Sequence, residues 1–234
     1  MSAIRRVAGE FVGSALLTTL VVGSGIAAQQ LSPTDTGLQL LENAFATALG
    51  LTVLILVFAT VSGAHFNPIV SAVDASLGYR RWDDVARYIP AQIVGCIAGA
   101  ILANLMFAKP AVQWSTTDRL TPAHFLAEIV ATAGLVLVIF ALARTGRAHL
   151  AAPAVGAYIG AAYFFTSSAS FANPAITVGR MFTDTFAGIA PSSSLGYIAA
   201  QILGGAIGLV AVRAFFPTLR VASAEGRLTV SQEA

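Results

Sequence analysis

The chain has 234 residues, 56% of them hydrophobic and 10% charged, with a formal net charge of +2. Soluble domains carry about 25% charged residues, so a water-soluble globule is excluded, and no basic soluble face is left over to bind nucleic acid. Cys96 is the single cysteine, which excludes a disulfide framework and a cysteine metal cluster; no cofactor is expected.

A bilayer crossing needs about 20 apolar residues. In chain order the runs that reach this length are 7–28, 40–61, 88–107, 123–143, 150–168 and 195–216. The first follows Arg5 and Arg6 but is longer than the apolar part of a signal peptide and lacks a cleavage site, so it reads as a span. The acidic residues inside these limits are Glu10, Glu42 and Glu128, all near an end. Between the second and third spans lies Ser62-Gly63-Ala64-His65-Phe66-Asn67-Pro68-Ile69, and between the fifth and sixth lies Ala169-Ser170-Phe171-Ala172-Asn173-Pro174-Ala175. Pro is pre-shaped for the first turn of a helix and Asn before it is a favoured cap. Each motif therefore opens a helix too short to cross, which is tolerated at membrane depth only where protein encloses it or it lines a wet path. The segment 218–234 reads as a polar cytoplasmic tail.

Alternate loops place Arg5, Arg6, Arg80, Arg81, Arg87, Arg144, Arg147, Arg213, Arg220 and Arg227 on one side, and Lys109, Arg119 and Arg180 on the other. By the positive-inside rule both termini are cytoplasmic, and the expected location is the inner (plasma) membrane.

The chain also repeats itself. Tyr88-Ile-Pro-Ala-Gln-Ile-Val-Gly95 resembles Tyr197-Ile-Ala-Ala-Gln-Ile-Leu-Gly204 at an offset of 109 residues, and the Asn-Pro motifs recur at an offset of 106. Each unit, about 5–108 and 122–217, holds three crossings, an odd number, so the second copy lies upside down. Inverted repeats place functional sites at their shared interface near the midplane. Gly9/Gly13, Gly95/Gly99, Gly156/Gly160 and Gly204/Gly208 are small residues four apart, which let helices approach closely. The reading is one all-α membrane domain.

Glu10 and Glu128 occupy related places. As carboxylates in apolar spans they are candidates for proton relays. The structural alternative, accepting hydrogen bonds from backbone donors of a re-entrant loop, is preferred because unpaired amides there cost several kcal/mol each. Asn67 and Asn173 read as caps whose amides also offer donors to a passing molecule. Two positive helix ends converging on one lumen repel cations and orient polar solutes oxygen-first.

On these residues, together with Gly9-Glu10-Phe11-Val12-Gly13, the chain resembles the aquaporins, or major intrinsic proteins, over nearly all of residues 5–217. The resemblance implies a right-handed bundle of six helices and two half-helices, a pore in every protomer, passive conduction and a homotetramer in the lipid bilayer. It makes Asn67, Pro68, Ile69, Asn173, Pro174 and Ala175 the pore motifs, with the backbone of Gly63, Ala64 and His65 lining the path. His65 could instead titrate as a gate. Two departures stand out. Ile69 replaces the usual Ala of the first motif, which could narrow the lumen. Ile176 stands where the family's filter usually has Arg. Counting from the motifs as the family does, the remaining filter positions are Thr47, Ala161 and Ser170, a set with no cation, no ring and no His. Thr177 stands where glycerol facilitators place Asp. Arg180 is expected to pair with Asp184 or to snorkel, with replacement of the missing filter charge as the alternative. Tyr163 reads as a membrane or packing residue.

The pattern Asn173-Pro-Ala-Ile-Thr-Val with Asp184-Thr-Phe-Ala-Gly-Ile is similar to a bacterial aquaporin branch linked with arsenic handling. The substrates this implies are water and small neutral solutes, including glycerol-like molecules and trivalent or methylated arsenic species. A water-only or glycerol channel is the alternative within the class, and an ion-coupled transporter with broken helices the alternative outside it. No nucleophile with its base supports an enzyme.

Overall fold

The computed structural model describes residues 2–217; the expected tail at 218–234, with Arg220 and Arg227, lies outside the described residues. Eight α-helices run in the order α1 Ala3–Leu31, α2 Thr36–Phe58, α3 Pro68–Ser76, α4 Trp82–Met106, α5 Pro122–Arg144, α6 Ala151–Phe165, α7 Pro174–Gly179 and α8 Pro191–Phe215. Six of them are long and apolar enough to cross a membrane, α6 together with the 3-10 turn before it as Ala148–Phe165; α3 and α7 are the short ones. Local signals explain several starts. Asp35 accepts from Leu38 N at 2.9 Å and Thr121 from His124 N at 3.1 Å, each capping its helix, and Pro122 and Pro191 open α5 and α8.

Two spans end earlier than hydropathy suggests. The second stops at Phe58 rather than at 61, and the fifth at Phe165 rather than at 168. Ser62 and Ser168 are needed elsewhere: each hydroxyl donates to a buried glutamate at 2.6 Å, and helical continuation would turn them away.

The two repeats pack alike. α1 lies on α4 and α2 as α5 lies on α8 and α6, while α3 and α7 meet each other and both touch α4 and α8. Glycine makes the tightest of these approaches possible. A Cβ at Gly95 would stand 2.4 Å from Phe11 O and one at Gly99 2.1 Å from Ala15 O; on α8, a Cβ at Gly204 would stand 2.5 Å from Ile129 O and one at Gly208 2.9 Å from Ala133 O. Without a hydrophobic force between helices in lipid, such close backbone contact supplies the packing energy. The outward faces carry large apolar residues such as Phe45, Leu49, Val53, Leu126, Ile202 and Val210, which suits a hydrocarbon solvent.

Candidate functional site

The segments that lead into α3 and α7 are unwound in the same way. Gly63, Ala64 and Phe66 have φ of 94°, 51° and 49°; Ala169, Ser170 and Ala172, at the repeat-related places, have φ of 58°, 46° and 48°. Left-handed backbone at a non-glycine residue costs about 1–2 kcal/mol, so something must hold five such residues there. Two glutamates with no exposed surface do so. Glu10 accepts from Ser62 Oγ at 2.6 Å, His65 N at 3.0 Å, Phe66 N at 2.7 Å and Gln92 Nε2 at 2.7 Å. Glu128 accepts from Ser168 Oγ at 2.6 Å, Phe171 N at 2.9 Å, Ala172 N at 2.8 Å and Gln201 Nε2 at 2.7 Å. A carboxylate is the one side chain with enough acceptor sites for four donors and none of its own.

The half-helix starts are tied to each other. Asn67 Oδ1 accepts from Ile69 N at 2.9 Å while its Nδ2 donates to Ala172 O at 2.8 Å in the other loop. Asn173 Oδ1 accepts from Ala175 N at 2.9 Å and its Nδ2 donates to Phe66 O at 2.7 Å. Each asparagine thus caps its own helix and braces the opposite loop. One hydrogen of each amide remains, and both asparagines line one cavity of about 610 Å³.

That cavity opens beside Tyr79, Arg80 and His149, passes the backbone segment 63–65, the two asparagines and Ile176, and ends at Tyr163 and Arg180. A second cavity of about 400 Å³ begins at the same Tyr163 and Arg180 and runs past Asn43, Arg119 and Asp184 to the opposite mouth. Tyr163 and Arg180 are the residues common to both. Pro68, Ile69, Pro174 and Ala175 lie behind the path, packed among helices. The side chain of Ile69 occupies the space in front of Gly205, where a Cβ would meet its Cγ2 at 2.4 Å. The extra bulk at this position is taken up by a glycine of α8 rather than by the lumen.

Thr47, Ser170 and Ile176 are buried and line the cavity. Ala161 is not with them. It is exposed, and Val155, Ile159 and Tyr163 present α6 to the path instead. Residues 159 and 163 share a face at 3.6 residues per turn, and 161 falls on the opposite one. Tyr163 OH lies 3.2 Å from Thr47 Oγ1. The mouth is therefore not free of rings, nor of cations. Arg180 does not pair with Asp184, whose carboxylate accepts from Thr116 N at 2.9 Å and Thr116 Oγ1 at 3.1 Å. Nor does it snorkel: it is 3% exposed, Nε donates to Ala187 O, and its guanidinium carbon sits 3.4 Å from the centre of the Phe171 ring. Position 180 follows 176 by four residues, so one turn brings it to the same face. That spacing was the available signal for Arg180; the one-sided pattern 155, 159, 163 was the signal for Tyr163.

Arg119, from the loop before α5, enters the second cavity with Nε on Gly188 O at 2.6 Å and an Nη on Phe186 O at 2.7 Å. Burial pushes its pKa below the ordinary guanidinium value. At the other mouth Asp74 receives Arg80 Nε at 3.0 Å and lies 3.3 Å from His65 Nε2, while His65 Nδ1 is 2.9 Å from Ser71 Oγ. His65 is thus engaged on both ring nitrogens.

Comparison with known proteins agrees with this architecture. The family profile described as major intrinsic protein matches residues 1–172. The chain is 46% identical over 210 residues to aquaglyceroporin AqpS of Rhizobium meliloti (strain 1021), covering 89% of each chain. It is 31% identical over 217 residues to aquaporin NIP6-1 of Arabidopsis thaliana, covering 89% of this chain and 68% of that one. A solved aquaglyceroporin from Plasmodium falciparum shares the fold with a TM-score of 0.70 at 24% identity, covering 90% of this chain and 96% of that chain. The chain belongs to the major intrinsic protein family: it is a membrane channel, not an enzyme.

Proposed function

We propose that the protein passively conducts water and small uncharged solutes, including glycerol-sized polyols and trivalent or methylated arsenic species. One observation carries this reading: both capping asparagines, tied to opposite loops, line a single cavity of about 610 Å³ whose walls are largely apolar. A solute there meets two amide donors and a file of loop backbone against a greasy wall, which suits neutral molecules that exchange one hydrogen bond at a time. The name aquaglyceroporin on a 46% identical relative supports glycerol-sized solutes.

In this reading Thr47, Ser170 and Ile176 form the selectivity filter, with Tyr163 in the role that counting gave to Ala161. Gly63, Ala64 and His65 supply backbone to the path, and Glu10 and Glu128 hold the loops. An aliphatic Ile176 leaves the ring wider and less polar than one built on arginine, which favours trivalent metalloid hydroxides. The working assembly is a homotetramer in the plasma membrane as one channel domain, with both termini cytoplasmic, so that Arg80 marks the inner mouth and Arg119 the outer.

Reconstituted vesicles test the substrate range in a panel of water, glycerol, arsenite and a methylated arsenical. Ile176→Arg is expected to keep water flow and reduce arsenite flux by about tenfold, about 1.4 kcal/mol at the barrier. Equal arsenite flux in both proteins refutes the metalloid reading.

A further inference from the structure

We propose that Arg180 is the cation barrier of this pore, set one helical turn beyond the position where a filter arginine is missing, so that charge selection and size selection sit on different turns of the same segment. The inference rests on the channel reading above and adds a residue to it.

Arg180 lines both cavities at their shared boundary, together with Tyr163. Its backbone is fixed by Ile189 N donating to Arg180 O at 3.3 Å, and its side chain by Ala187 O and the face of Phe171. Among the described residues neither Nη has a hydrogen-bond partner and no carboxylate pairs with the guanidinium. Asp184, the acid nearest in sequence, is engaged by Thr116. A second group at this level also lacks a partner. Ser170 is 3% exposed, lines the cavity, and its hydroxyl makes no hydrogen bond. An orphaned buried hydroxyl and two unspent guanidinium donors on one cavity wall are groups that await a ligand.

The ligand they fit is an acceptor oxygen on a small neutral solute, or a water held oxygen-first. A metal cation or a hydronium at the same place meets fixed positive charge with no carboxylate paired to it, inside a low-dielectric wall. Because the cation is carried at 180, Ile176 is free to keep the ring wide. Solutes larger than water then pass where cations do not.

The test uses full-length protein in vesicles, with proton and potassium leak, water flux and glycerol flux read in the same preparation. Arg180→Leu is expected to raise the leak at least about tenfold in protein that still conducts water. Ile176→Arg introduced into Arg180→Leu should bring the leak back down and cut glycerol flux. Unchanged leak in an Arg180→Leu protein that still conducts water overturns the proposal. If Arg180→Leu conducts no water, Arg180→Lys decides. A lysine there loses its charge as pH rises, so its leak should climb between about pH 7 and about pH 10 while wild type stays level. A level leak in both overturns the proposal. Absent water flux in wild type would instead defeat the channel reading.

Discussion

Glu10 and Glu128 each bind four donors, and the loops they hold contain six left-handed residues, five of them without the freedom of glycine. Replacing either with glutamine exchanges an acceptor oxygen for an NH2 group that faces N–H donors. Each buried donor left unpaired costs about 1–3 kcal/mol. Glu10→Gln and Glu128→Gln should therefore lower Tm in detergent by similar amounts, since the two sites make the same bonds. A Tm that stays at the wild-type value in either variant would contradict the role. The sequence reading reached these carboxylates because an acid in an apolar span needs partners, and an unwound loop needs acceptors. Counting from the motifs puts Ala161 on the path where the cavity is lined by Tyr163, because the distance from α6 to the second asparagine depends on loop length, which composition does not encode. For Arg180 the sequence favours pairing with Asp184 or snorkelling over replacement of the missing filter charge, since i,i+4 pairing on a helix is the usual outcome. Here the helix gives way to a 3-10 turn at 180–182, and Thr116 from a distant loop takes the acid.

At the scale of elements, the re-entrant helices fit because glycine and bulk are traded between neighbours. Ile69 on α3 fills the space that Gly205 on α8 leaves, while Cys96, at the repeat-related place on α4, lies against Gly179 of α7, where a Cβ would stand 2.8 Å from the Cys96 Cβ. Gly205→Ala should destabilise the protein by about 1–3 kcal/mol through overpacking. Adding Ile69→Ala should recover most of that loss, a coupling that contacting residues show and distant ones do not. Additive losses in thermal unfolding would contradict the pairing. The spans themselves were legible from hydropathy and length, and their ends were not. Phe58 and Phe165 end α2 and α6 because Ser62 and Ser168 are claimed by glutamates on other helices, a long-range demand with no local signature.

For the whole molecule, the inverted repeat sets one path through one chain: two half-helices meet at their capped starts and two asparagines face a common lumen. Among the described residues the carboxylates along that conduit and behind its loops are all engaged, which leaves no site for a coupling ion. Asp74 is engaged by Arg80 and His65, and the two membrane glutamates are saturated with donors. Osmotic water flux in reconstituted vesicles is the most direct measure of this claim. The account predicts shrinkage faster than in protein-free vesicles, at a rate that imposed Na⁺ or proton gradients do not alter. Shrinkage no faster than in protein-free vesicles, or a rate that follows either ion gradient, would contradict it.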